Sequence, residues 1–233
     1  MKILVIPDLH GKTIWKEAVV NHSFDICIFL GDYVDASLDV SDKQISDNLL
    51  QIIQYKKENP DNVFLLLGNH DIHYMYYPNY PCSGFREALQ PVLTSIFIND
   101  QSSFQIAFQQ NNHLFTHAGV SQNWYNKHKD NFIFGGNLST CLNAINNSDE
   151  REILHEVGEI RGGWGMEKQH GGPTWADKSE TQQSMLKGFH QIVGHSKVPN
   201  LTKIYEGDNE ESDTSITYCD CLGSKTEFLL LEL

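Results

Sequence analysis

The sequence predicts an α/β fold carrying two β-sheets. Three observations lead there. The first seventy residues alternate dense apolar runs with helical patterns. The second half carries alternating and apolar runs suited to a further sheet. The apolar runs repeatedly end in Asp, Asn or His, usually beside Gly, as sheet ends that bear a site do.

KILVI (2–6), DICIFL (25–30) and VFLLL (63–67) are short and almost wholly apolar, as strands buried on both faces are. Residues 12–20 suit a short helix. In SDKQISDNLLQIIQYKKENPD (41–61), Ile45, Leu49, Ile52 and Ile53 fall on one helical face. Ser41 with Gln44 reads as a capping box, and Pro60 as the stop. The order strand–helix–strand–helix–strand predicts a parallel sheet with covering helices. FQIAFQ (104–109) and TSITYCD (214–220) alternate, QIVGH (191–195) reads as a buried strand, and TEFLLLEL (226–233) closes the chain as another. This half predicts a second sheet, antiparallel or mixed. A helix is expected over 180–190, with Ser179 and Gln182 as its capping box. HYMYYPNYPCSG (73–84) and EIRGGWGMEKQHGGPTWAD (159–177) fit neither period and are expected as surface loops. GDNEESD (207–213) reads as a solvated turn. One domain over 1–233 is expected.

Apolar residues make up 40% and charged residues 20%, ordinary for a soluble chain, but the net charge is −13. That balance excludes a general nucleic-acid binder, because a phosphate backbone needs a basic face. It leaves room for a phosphorylated substrate if cations supply local positive charge. No apolar stretch approaches a membrane span, and the N-terminal run lacks a signal-peptide cleavage pattern. The five cysteines form no CxxC and are odd in number, which reads as reduced thiols in a cytoplasmic protein.

Five strands deliver polar groups at their C-terminal ends: Asp8 and His10; Asp32 and Asp35; Asn69, His70 and Asp71; His117; and His195. Carboxylate, amide oxygen and imidazole suit hard to borderline cations, and the absence of thiolate disfavours structural zinc. A cluster of this size suits two ions. Asp8 and His10 would hold one, Asp32 would bridge, and Asn69, His117 and His195 would complete the other. Two such ions can hold a bridging hydroxide and clamp a phosphoryl group. His70 is then left as general acid, with Asp35 orienting its ring and favouring the imidazolium. His70 as a further ligand is the competing assignment. Asp71 reads as a cap of the turn.

PDLHG, GDYVD, GNHD, THAG and GHS, in that order, resemble the calcineurin-like metallophosphoesterase superfamily. Lys197 stands where many nucleases and phosphodiesterases of that superfamily carry a second His. Together with THAG, the closing YCDCLGSKTEFLLLEL and GGPTWAD (171–177), this is more similar to the phosphoprotein-phosphatase branch, which includes Ser/Thr protein phosphatases and diadenosine tetraphosphatases. The resemblance runs from residue 7 to 233. It implies two mixed sheets packed as a sandwich flanked by helices. It also implies a metal-dependent phosphoesterase acting on a phosphomonoester or phosphoanhydride, in a phosphoprotein or a nucleotide. Manganese leads as the metal, with iron and zinc as alternatives. The branch usually has Arg where this chain has Ala36 and Leu67, and Glu where it has Asp71. Arg161, with Arg86 behind it, remains for substrate phosphate, together with Asn69. Two rival readings stand beside this one: a phosphodiesterase or nuclease of the superfamily, and a non-catalytic binding scaffold on the same fold.

Overall fold

The computed structural model describes residues 1–35, 40–132, 135–163 and 170–233. In chain order the elements are β1 (Lys2–Ile6), α1 (Trp15–Asn21), β2 (Ile26–Phe29), α2 (Asp42–Glu58), β3 (Val63–Leu66), α3 (Asn69–Met75), α4 (Gln90–Asn99), β4 (Phe104–Gln105), β5 (Ala107–Gln110), β6 (His113–Thr116), α5 (Gln122–His128), α6 (Leu138–Asn146), α7 (Lys178–Gln183), β7 (His190–Val193), β8 (Thr202–Tyr205), β9 (Ser215–Tyr218) and β10 (Leu229–Glu232). They divide into two compact units. The first comprises Met1–Gln105 with Thr226–Leu233, and the second comprises Ile106–Lys225.

The first unit holds a five-stranded sheet in the order β10-β1-β2-β3-β4. β1 to β4 run parallel, with Ile6 beside Phe29 and Phe29 beside Leu65. Their C-terminal ends therefore share one edge, from which the chain continues to Asp8, Asp32 and Asn69. Ile3, Leu4, Val5, Ile6, Ile28, Leu65 and Leu66 are fully buried. Each such aliphatic side chain contributes about 1.5–3 kcal/mol relative to exposure. α2 buries Ile45, Leu49, Ile52 and Ile53, the face read from the sequence.

The second unit holds a sheet in the order β5-β6-β7-β9-β8. β6, β7 and β9 run parallel, while β5 and β8 are antiparallel edge strands. Here too the parallel strands end on one edge, where His117, His195 and Asp220 follow β6, β7 and β9. Both sheets are mixed, and both units carry α-helices, so the predicted α/β class holds. Among the described residues no helix is long and apolar enough to cross a membrane.

Several expectations need correction. FQIAFQ is not one strand: Phe104–Gln105 pairs with β3 in the first sheet, while Ala107–Gln110 pairs with β6 in the second. The closing strand does not join the second sheet. It pairs antiparallel with β1, Lys2 opposite Glu232, because its apolar side chains complete the first sheet. Only half the expected capping box on α2 forms. Ser41 accepts from the Gln44 amide, but the Gln44 side chain donates to the Gly11 carbonyl instead. The helix expected over 180–190 is α7, and its cap is Asp177 with Glu180, not Ser179 with Gln182. The stretch 73–84 is not all loop, since His73 to Met75 form the last turn of α3.

The five cysteines are free thiols, and all but Cys82 are buried. Two histidines of the second unit, the half-buried His113 and the buried His155, oppose acid. Burial, then His190 and Lys203, lowers His113 to about 4. Burial, then Arg151, lowers His155 to about 3. The unfolded chain, with His near 6.5, binds more protons below that pH than the folded chain does. Stability is therefore complete above about pH 6.5 and is lost as pH falls toward 4 and then 3. Urea-unfolding midpoints should drop across this window, and His113→Gln should make the drop shallower. An unchanged slope would contradict the assignment to His113.

Candidate metal centre

In the first unit the loops after β1, β2 and β3 are held against one another by backbone bonds. Leu9 and His10 amides donate to the Asp32 carbonyl at 3.1 and 2.8 Å, and Gly11 donates to the Tyr33 carbonyl at 2.9 Å. The Asp71 carboxylate, at 0% exposure, accepts from the Gly68, Asp32 and Tyr33 amides at 2.9, 2.7 and 2.9 Å. It thus does more than the turn cap read from the sequence: it joins GD to GN. Burial and the Asp32 charge push its pKa well up, against the pull of those three donors.

Glycine is required twice here. Gly31 has φ +103, and a Cβ on it would lie 2.4 Å from the Gly68 nitrogen. A Cβ on Gly68 would lie 2.1 Å from Asp32 Oδ1. The loops after β2 and β3 touch only because both side chains are missing.

This scaffold brings six predicted residues into one unit: Asp8, His10, Asp32, Asp35, Asn69 and His70. Asp8, Asp32, Asp35 and Asn69 are buried, at 2, 2, 8 and 2% exposure. His10, Asp32 and Asp35 have φ of 46, 53 and 57°, the left-handed region that non-glycine residues rarely occupy. Such strain collects where a side chain must be aimed. His10 Nδ1 is 2.9 Å from the Val34 carbonyl, so it carries the proton there, and Nε2 turns toward Asp32 Oδ2 at 3.8 Å. His70 Nε2 lies 3.9 Å from the same oxygen. Ligand atoms of His10, Asp32 and His70 lie within 4.8 Å of one another. Their N/O character fits a divalent cation.

His70 is held from two sides. Its Nδ1 lies 2.9 Å from Asp35 Oδ2, and its backbone amide donates to Asp32 Oδ1 at 3.1 Å. Burial opposes the imidazolium, but the Asp32 charge and the Asp35 and Cys82 contacts outweigh it and raise the pKa to about 12. Cations bound beside Asp32 would cancel much of that pull. The Asn69 side-chain amide donates to Cys82 Sγ at 2.9 Å.

In the second unit His117 is fully buried and His195 takes a φ of 59°. Their Nε2 and Nδ1 atoms face one another at 3.2 Å, and the Gly194 amide donates to the His117 carbonyl at 2.8 Å. The edge of Trp175 meets His195 with ring centres 5.8 Å apart. Arg161 donates to Ser196 Oγ at 3.1 Å, beside His195, and pairs through Nε with Asp177 at 2.7 Å. Ser179 donors, with Arg161 behind them, outweigh burial and hold Asp177 below its ordinary range. Arg86 is committed elsewhere, to Asp42 Oδ1 at 2.6 Å and the Val40 carbonyl. Ala36, Trp164 and the middle of the Gly-rich stretch lie outside the described residues.

The family model for calcineurin-like phosphoesterases matches residues 1–202. The chain belongs to that family. The phosphoesterase fold is also that of solved structures at low identity. A cold-active protein-tyrosine phosphatase from a psychrophilic Shewanella species is 17% identical, with TM-score 0.61, over 99% of this chain and 75% of that one. A serine/threonine phosphatase from Saccharomyces cerevisiae is 16% identical, with TM-score 0.50, over 94% and 66%. No curated protein sequence is a significant match. As a member of the family the protein is a metal-dependent phosphoesterase, a hydrolase.

The sequence pattern pointed to the clustered Asp, Asn and His residues but not to Cys82 or Tyr74, whose contacts come from the stretch expected as surface loop. Nothing in the local period marks either residue. The phosphoesterase should tolerate no side chain at the loop junction. Gly68→Ala should cost about 3 kcal/mol in urea unfolding and weaken divalent-cation binding in calorimetry. Binding and stability like those of the unsubstituted protein would contradict the close approach.

Proposed function

We propose that the protein is a two-metal phosphatase that hydrolyses a phosphomonoester or phosphoanhydride of a phosphoprotein or nucleotide. The observation that carries the reading is the His70 Nδ1–Asp35 Oδ2 pair beside the strained, buried Asp32. Asp8, His10, Asp32 and Asn69 of the first unit, with His117 and His195 of the second, would hold the ions, and Asp32 would serve both. The two units then work as one catalytic domain over 1–233. Bound divalent ions would supply a nucleophilic water at neutral pH and neutralise phosphoryl charge. Manganese leads among the metals that suit this donor set, which iron and zinc also fit.

The chain's own residues supply the rest. His10 presents Nε2 because Val34 occupies Nδ1. Asn69 presents its amide oxygen because its nitrogen is engaged with Cys82. His70 gives its Nε2 proton to the leaving oxygen, while Asp35 keeps the Nδ1 proton and the ring orientation. Asp35 on Nδ1 favours the acid role over a ligand role for His70. Arg161, next to Ser196, is the cation for substrate phosphate, although Asp177 already shares its charge. The two phosphatases named above support a monoester substrate, as does Lys197 in place of a second His. The cytoplasm is the expected compartment.

Two substitutions test this. His70→Asn should lower turnover about a hundredfold while metal stoichiometry stays near that of the unsubstituted protein. A matching loss of metal would make His70 a ligand instead. Asp32→Asn should lose both metal and activity, and full occupancy in that variant would remove the bridging role. Turnover on a chromogenic monoester should exceed that on the corresponding diester. The reverse order would favour the phosphodiesterase reading.

A further inference from the structure

His70 and Asp35 do not end the hydrogen-bond chain. The Tyr74 hydroxyl donates to Asp35 Oδ1 at 2.5 Å, and that same hydroxyl oxygen accepts from the Arg86 backbone amide at 2.9 Å. Tyr74 is fully buried, and so is the Asp35 side chain. Gly84 closes over the pair: a Cβ placed on it would meet Asp35 Cβ at 3.7 Å and His70 Cε1 at 4.0 Å. Tyr74 sits in the last turn of α3, five positions after the GN junction. Its ring is pinned by Phe85 and His73, with centres 5.1 and 6.0 Å away. The aromatic stretch 73–86 is thereby tied to the proposed acid.

We propose that Tyr74 is a positioning residue for general-acid catalysis: through Asp35 it fixes the ring that protonates the leaving oxygen. This rests on the acid role of His70 given above. The Tyr74 hydroxyl and His70 Nδ1 each donate to a different oxygen of the Asp35 carboxylate. Tyr74 holds Oδ1, so Oδ2 faces His70 Nδ1 without rotating. Burial and the neighbouring carboxylate push the Tyr74 hydroxyl well above its ordinary range, so it stays a donor throughout working pH. In the catalytic step the His70 Nε2–H bond breaks as the O–H bond of the departing alcohol forms. A ring free to tilt would deliver that proton less often.

The consequence is selective. An alkoxide leaves poorly without a proton, whereas nitrophenolate leaves readily without one. Tyr74→Phe should lower kcat about tenfold on an alkyl phosphate and less than twofold on 4-nitrophenyl phosphate, with Mn²⁺ stoichiometry retained. His70→Asn should show the same selectivity more strongly, and Tyr74→Phe should add little on that background. Equal losses on both substrates, or additive losses in the double variant, would overturn the proposal. If His70→Asn itself shows no selectivity, the acid role fails and the inference with it. Selectivity in His70→Asn alone sinks only Tyr74.

A second readout does not depend on turnover. In ¹H–¹⁵N spectra of the full chain without added metal, the His70 Nδ1 proton should resonate at low field. In Tyr74→Phe it should move and exchange faster. If that variant does not fold, the unsubstituted chain should still show a slowly exchanging, low-field Tyr74 hydroxyl proton. An unmoved His70 signal, or no such Tyr74 proton, overturns the assignment.

Discussion

The junction between the loops after β2 and β3 governs the first unit's site. Gly31 and Gly68 lie so close that neither position has room for a Cβ, and the Asp71 carboxylate binds amides on both sides of the contact. Three amide donors satisfy one buried carboxyl group, and they fix main chain rather than side chain. Asp32 and Asn69 leave this junction in directions set by the backbone. His10 is added by two further amide bonds to the Asp32 carbonyl. Positions of the metal-ligating type thus depend on a carboxylate that need not touch metal at all.

The left-handed backbone at His10, Asp32, Asp35 and His195 follows from the same logic. An extended segment would alternate its side chains across the sheet edge. A residue with positive φ turns the chain sharply and aims its side chain where the next pleat would not. Each such residue costs on the order of 1–3 kcal/mol. The cost is borne by adjacent strands that are almost wholly buried, and by hydrogen bonds such as that from Gly194 to His117. Rigidity of this kind favours preorganised charge over induced fit.

The periodic parts of the molecule were legible in the sequence. β1, β2 and β3 are dense apolar runs, and α2 shows one apolar face, so burial alone specifies them. The clustering of Asp8, His10, Asp32 and Asn69 in one unit was legible because the apolar runs share one way of ending. Three kinds of feature were not. β4 and β5 share one alternating pattern, FQIAFQ, and only the partner strands divide it between two sheets. β8 is a half-exposed edge strand whose pairing with β9 comes from long-range contacts. The Tyr74 and Cys82 contacts lie in a stretch whose Tyr and Pro content suggests a loop, yet α3 runs through its start and carries Tyr74 to Asp35. Spacing along the chain gives no signal for a bond between positions 35 and 74.

Electrostatics ties these parts to the chemistry. The chain carries −13 and only three arginines, at positions 86, 151 and 161. Arg86 is neutralised by Asp42, and Arg161 shares its charge with Asp177. Leu67 is buried at 1% exposure and adds no cation. A phosphorylated substrate approaching the first unit would meet Asp8, Asp32 and Asp35, while that unit's one arginine, Arg86, is paired with Asp42. Without bound cations that field repels a phosphate dianion. With them, its sign reverses over a few ångströms, inside the range that salt does not screen. On the proposed reading, metal loading and substrate affinity are therefore one electrostatic event. On that reading the same excess of carboxylates that disfavours a nucleic-acid backbone also ties substrate binding to bound cations.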